Sequence, residues 1–196
     1  MNKIVEVTCP GCGGKVDLNM EYCKYCHQPI VFSKLKVIGA MESNSIDKNI
    51  RFYLNSLKLE PNNYKLSISL GLCYLKLKMY DKAIEIFNKI IDNSIKEPDI
   101  LYYLSICLLR GKKAFVNSRK DIDRAIEYLN AAIGIEEKGD YYYLLAYIKF
   151  DYFYRKSLRS EPNFIELKTK ADLFRFSENE KEELFKILNV MRPIEM

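Results

Sequence analysis

Tryptophan is absent from this chain, and histidine occurs once, at position 27. With His27 standing beside four of the cysteines, no Ser-His-Asp or Cys-His catalytic set can be assembled elsewhere. Glycine is scarce, at 8 of 196 residues. No glycine-rich phosphate loop is present, because Leu109-Arg110-Gly111-Lys112-Lys113 lacks the required glycine spacing. Neighbouring carboxylates occur at Glu136-Glu137 and Glu180-Glu182-Glu183, on stretches that read as solvated surface. Together these absences predict a protein that is not an enzyme, with no catalytic residues. Long apolar runs are missing too: none approaches the roughly 20 residues that cross a bilayer. The opening MNKIVEVTCPGC has no apolar signal core. The expectation is a cytoplasmic protein without a membrane partner.

The chain is 48% hydrophobic and 29% charged, enough for a core within one domain plus a small module. Its 31 basic and 26 acidic residues leave a net charge of +5. Such a mild excess permits a nucleic acid or an acidic partner without requiring either.

Four of the six cysteines form two C-x-x-C pairs, Cys9-Pro10-Gly11-Cys12 and Cys23-Lys24-Tyr25-Cys26, with ten residues between. Two such pairs on tight turns deliver four thiolates to one tetrahedral zinc. Gly13 and Gly14 let the first turn fold back so that backbone N–H groups face the sulfurs. A segment this short buries too little apolar surface to fold alone, so the metal would supply its folding energy. Iron in place of zinc and a redox pair are the alternatives; two pairs at this spacing argue against the second. Four cysteine ligands close the coordination sphere and make the metal structural. Residues 7–32 resemble a zinc ribbon of the short CPxCG…YCxxC type. The ribbon's usual glycine after the last cysteine is replaced by His27, which reads as an exposed neighbour of the site. Lys3, Lys15 and Lys24 surround it, but Glu6, Asp17 and Glu21 offset them, so a strong phosphate-binding face is not expected.

The remainder is helical. YKLSISLGLCYLKLKMYDKAIEIFNKIIDNSIKE, residues 64–97, reads as two helices joined by a turn at Tyr80-Asp81. Leu70, Tyr74, Phe87 and Ile90 recur at helical spacing around Gly71 and Ala83. A mid-helix glycine costs roughly 1 kcal/mol against alanine, and close approach of the facing helix gives Gly71 its reason. Asn49 and Ala83 lie 34 positions apart, as do Gly71 and Ser105. Asp47-Lys48-Asn49-Ile50 matches Asp81-Lys82-Ala83-Ile84 and Asp123-Arg124-Ala125-Ile126. This pattern resembles the tetratricopeptide (TPR) repeat, whose period is about 34 residues. The resemblance implies an all-α TPR-like α-solenoid of about three repeats plus capping helices, following the small N-terminal zinc ribbon. The boundaries expected are 1–32 for the ribbon and 33–196 for the repeats, with the ribbon packed as a cap on the first helices. Ser45 or Asp47 is expected to cap the helix carrying Ile46, Ile50, Tyr53, Leu54 and Leu57.

Pro98-Asp99 should open the next helix. Cys73 and Cys107 fall at equivalent positions and read as small buried hydrophobes. Ala83 to Ala125 is 42 positions, longer than one period. The extra residues lie in Arg110–Lys120, a run with five basic residues and no acid. It is either a solvated loop or, anchored by Phe115 and Val116, a docking loop for an acidic or phosphate-bearing partner. Gly139-Asp140 opens a third repeat whose second helix is not visible, since Leu158 stands where a small residue belongs. Glu166–Phe176 reads as a further helix, and Ser177 with Glu180 forms a capping box for the last one.

By the family register, Lys65, Ile68, Leu72 and Lys76 would line a concave groove. Asp99, Tyr102, Tyr103, Ile106 and Arg110 continue it, followed by Tyr143, Tyr147 and Phe150. Ile68 and Leu72 stand where a carboxylate clamp would carry Lys and Asn, so that chaperone-clamp activity is not supported. The partner-binding candidates are therefore Ile68, Leu72, Tyr102, Tyr103, Ile106, Tyr143, Tyr147 and Phe150 in the groove, with Arg110, Lys112, Lys113 and Phe115 at the insertion. An aromatic groove suits a protein or peptide anchored by apolar side chains. The residues after Phe153 are also long enough to fold back and fill it. The leading expectation is a non-catalytic protein-binding adaptor with one structural zinc. The alternative is a nucleic-acid-associated factor using the ribbon and the 110–120 loop, and a weaker third is a structural subunit of a larger assembly.

Overall fold

The computed structural model describes residues 6–17, 20–39, 41, 43–92 and 97–196. It is an all-α helical-repeat fold carrying a small N-terminal cysteine ribbon, and it divides into two compact units between residues 95 and 96. That division falls inside the stretch expected to be one repeat domain, and the ribbon belongs to the first unit.

In the first unit, β1 (Glu6–Thr8) and β2 (Lys15–Asp17) pair antiparallel, with Val7 opposite Val16. Four helices follow: α1 (Leu35–Gly39), α2 (Ser43–Leu59), α3 (Tyr64–Lys76) and α4 (Tyr80–Asp92). Asn63 caps α3, its Oδ1 accepting from the Leu66 N–H at 3.3 Å, because Pro61-Asn62 breaks the preceding helix. From Ile68 to Leu75 α3 is buried at every position, whereas α4 buries only Ala83, Phe87 and Ile90. The core of the unit therefore surrounds α3.

The turn between α3 and α4 is Leu77–Met79, and Tyr80-Asp81 opens α4 instead of forming the turn. The reason is Lys78, at φ 59°, which lets the Met79 N–H reach back 2.9 Å to the Tyr74 carbonyl. Likewise α2 starts at Ser43, so Ser45 and Asp47 lie within the helix and do not cap it. The Ser45 carbonyl instead accepts from the Asn49 side chain at 2.9 Å.

The ribbon is joined to these helices by buried hydrogen bonds. The Phe32 N–H donates to Ser69 Oγ at 3.0 Å, and Ser69 Oγ donates back to the Phe32 carbonyl at 2.9 Å. Tyr53 OH donates to the Ile30 carbonyl at 2.9 Å. The Phe32 and Tyr53 rings meet edge to face at 5.7 Å.

The second unit contains α5 (Pro98–Leu109), a 3-10 turn at Ala114–Val116, α6 (Arg119–Ile135) and α7 (Gly139–Ile148). A π-helical turn follows at Lys149–Phe153, then a 3-10 turn at Tyr154–Lys156, α8 (Phe164–Leu173) and α9 (Glu178–Leu188). Pro98 takes the first turn of α5. Ser105 replaces the glycine of the preceding repeat and donates across to the Ala125 carbonyl of α6 at 3.0 Å, so the small-residue contact is kept and gains a hydrogen bond.

The second helix of the third pair, not visible in the sequence, is α8. Added side-chain bulk at Gly139, at the start of α7, would meet the Ala171 carbonyl at 3.0 Å near the end of α8. At the opposite ends, the Phe150 and Phe164 rings lie 5.1 Å apart. The two helices run antiparallel with their close approach displaced beyond Leu158 by the irregular turns. Both halves of the α9 capping box form: Glu180 Oε2 accepts from the Ser177 N–H at 2.8 Å, and Ser177 Oγ from the Glu180 N–H at 3.4 Å.

Candidate functional site

The two cysteine turns are built alike. The Cys9 N–H donates to the Gly14 carbonyl and the Cys23 N–H to the Gln28 carbonyl, both at 2.9 Å. The residue after each second cysteine is left-handed: Gly13 at φ 76° and His27 at φ 56°. His27 therefore replaces glycine at a position that favours it. The side chain of His27 is exposed and stands outside the ligand set.

The Sγ atoms of Cys9 and Cys26 are 3.7 Å apart, as are those of Cys12 and Cys23, and all four lie within 4.8 Å of one another. A disulfide would need about 2.05 Å. A tetrahedron with metal–sulfur bonds of about 2.3 Å has edges of about 3.8 Å, which the two 3.7 Å separations match. The four thiols are thus positioned to coordinate one metal ion. Cys23 is pushed down to about 6, chiefly by the Cys26 N–H and further by the Tyr25 N–H, against the effect of burial. Burial pushes Cys9 up. Cys73 and Cys107 are fully buried in helices away from this cluster. Burial pushes the Cys73 thiol up to about 12, so it behaves as a core side chain.

Residues 52–85 match the tetratricopeptide repeat family. The matching stretch runs from α2 through α3 into α4. No curated protein matches the chain.

The apolar and aromatic groove positions are covered by the chain itself, while Lys65 and Arg110 stay exposed. In the first unit Ile68 and Leu72 are buried. Segment 30–39 runs along α3 there, tied by the Phe32–Ser69 bonds and by Lys76 Nζ donating to the Gly39 carbonyl at 2.9 Å. In the second unit Tyr102, Tyr103 and Ile106 are buried, and the Tyr102 ring packs on Tyr141 at 5.3 Å. Asp99 accepts from Lys138 Nζ at 2.9 Å and from Tyr141 OH. Tyr143 lies 5.4 Å from Phe176 and 6.3 Å from Phe185, and Tyr147 lies 5.1 Å from Phe185. The Met196 carbonyl accepts from Tyr143 OH and from Arg192 Nη2 at 2.7 Å, with the Met196 side chain buried. Phe150 is covered by Phe164. Of the two states the sequence left open for the aromatic groove, the structure has the filled one. Ile68, Leu72, Tyr102, Tyr103, Ile106, Tyr143, Tyr147 and Phe150 all stand in the interior.

Arg110, Lys112, Lys113 and Phe115 are exposed. Their loop is ordered by neighbours that the sequence did not mark. Asp151, only 1% exposed, accepts from the Phe115 N–H at 2.8 Å and from Arg155 Nη1 at 2.6 Å. The Ala114 N–H donates to Tyr147 OH at 3.4 Å. Asn117 Nδ2 ties the loop to itself through the Lys113 carbonyl at 2.9 Å. The i,i+4 spacing of Asp151 and Arg155 was the available signal, but in sequence it resembles any surface ion pair.

Proposed function

We propose that this protein is a non-catalytic adaptor that binds a partner protein, with one structural zinc in its N-terminal ribbon. The observation that carries the reading is a tetratricopeptide helix pair at residues 52–85, beside a four-cysteine cluster positioned to hold a metal. The sulfur separations suit zinc, because thiolate ligands at tetrahedral spacing select a tetrahedral thiophilic ion. Residues 1–32 act as the ribbon and 33–196 as the helical-repeat part, working in the reducing cytoplasm, where free cysteines hold metal and do not pair. With the groove side chains in the interior, the partner meets the outer faces, among which Arg110, Lys112, Lys113 and Phe115 are foremost.

The test is affinity purification of the full-length protein from its host, with metal analysis. One zinc per chain and a stoichiometric protein partner are expected. Nucleic acid that leaves at high salt, with no protein, would replace the adaptor reading by a nucleic-acid-associated factor. Removal of metal by a chelator should unfold the ribbon, seen as proteolysis within residues 6–32, and Cys12→Ser should do the same.

A further inference from the structure

We infer that the insertion between α5 and α6 is a preformed docking surface for an acidic protein segment carrying an apolar side chain; this rests on the adaptor reading and gives the partner its chemistry. Three observations converge on it. The first is charge: two of the three nearby carboxylates are already ion-paired. Asp123 pairs with Arg119 at 2.8 Å and Asp151 is buried against Arg155, while Asp121, held by the neutral Ser118 hydroxyl at 2.6 Å, keeps its charge. Among the described residues, Lys112, Lys113, Lys120 and Lys156 have no carboxylate partner. These four lysines outnumber Asp121, so the insertion carries a net positive charge that an acidic segment complements.

The second is an apolar tip within the same insertion. Phe115 is 37% exposed and Val116 is 65% exposed. Apolar side chains ringed by charge form the centre-and-rim pattern of a contact site. The third is order. The Phe115 and Ala114 N–H groups are pinned by Asp151 and Tyr147, and Asn117 closes the loop on itself. A loop already held in one shape loses little conformational freedom on binding.

The aromatic geometry favours protein over nucleic acid. Arg155 and Lys156 lie over the Phe115 ring at 5.1 and 4.8 Å, and Lys156 lies 3.6 Å over the Tyr152 ring. The Phe115 face under these cations is not open for stacking on a base, which is what single-stranded nucleic acid sites use, and Tyr152 is buried.

Fluorescence anisotropy with the full-length protein tests this. The probes are a labelled peptide of glutamates interrupted by leucines, its glutamine counterpart, and a single-stranded oligonucleotide of matching length. The variants are Lys112→Glu/Lys113→Glu, Val116→Asp and, as a control on α2, Lys48→Glu, each checked for an unchanged far-ultraviolet spectrum. The acidic peptide should bind, weakening about tenfold or more in the double charge reversal and several-fold in Val116→Asp. The control should leave it unchanged, and the glutamine peptide should not bind. Failure of the acidic peptide to bind, equal binding by the double variant, or tighter binding of the oligonucleotide with no effect of Val116→Asp would each overturn the inference. A protein partner that co-purifies equally with Lys112→Glu/Lys113→Glu also removes this surface while leaving the adaptor reading standing. Acidic-peptide binding that needs Lys112, Lys113 and Val116, with no protein partner co-purifying, removes the adaptor reading and leaves the surface.

Discussion

Replacing Gly71 by alanine should destabilise the protein, although it adds a better helix former to the middle of a helix. At an unobstructed site the substitution would gain about 1 kcal/mol in helix propensity. Here the new Cβ would lie 2.5 and 2.7 Å from Phe87 Cε1 and Cζ. Carbon atoms in comfortable contact sit about 3.5–4.0 Å apart, so the ring must move by about 1 Å. Phe87 is fully buried, so the ring can move only against its core neighbours. Overpacking of this kind costs about 1–3 kcal/mol, and a closed site belongs at the upper end. The net effect is a loss of about 1–2 kcal/mol, or roughly 2–8 °C in Tm for a chain of this length. Urea unfolding followed by circular dichroism should show a lower midpoint at unchanged slope. Phe87→Leu shortens the obstructing ring, so the double variant should be more stable than the sum of the single losses by about 1 kcal/mol. A more stable Gly71→Ala, or strictly additive losses, would refute the account of why glycine stands there.

His27→Gly should stabilise the metal-loaded ribbon by about 0.5–1 kcal/mol, because a left-handed backbone at φ 56° is strained for a side-chain residue; slower chelator-driven metal release would show it. Asp140 is pushed up to about 6, mainly by burial and also by Asp99. A carboxyl whose folded pKa is raised contributes most when protonated. Its contribution is fully present below the unfolded value of about 3.9 and lost as pH rises through about 6. Since Asp140 is only half-buried, the change should be about 1–2 kcal/mol between pH 4 and 7. Asp140→Asn should remove that portion of the pH dependence in paired urea titrations. Asp151→Ala should cost about 2–4 kcal/mol by leaving the Phe115 N–H and Arg155 without their partner, and should speed hydrogen exchange across residues 112–117.

What the sequence determined by itself was everything written in local spacing. Two C-x-x-C turns must bring four sulfurs together because tight turns leave a short chain few other paths. The capping box at Ser177 and Glu180, the proline start of α5 and the small-residue pairing of Gly71 with the Phe87 helix are each encoded within a few positions or one repeat period. Only the tertiary structure decided which apolar face meets what. Tyr143, Tyr147 and Phe150 have the same composition and period whether they await a peptide or pack on Phe164, Phe176 and Phe185, since burial against self and burial against a partner have the same hydrophobic driving force. Likewise α8 completes the third pair from beyond a π-helical turn, where the 34-residue period no longer holds. Asp151 reads as surface charge until the fold closes over it. Long-range packing, invisible to spacing, turned the expected groove into a core and left the basic insertion outside.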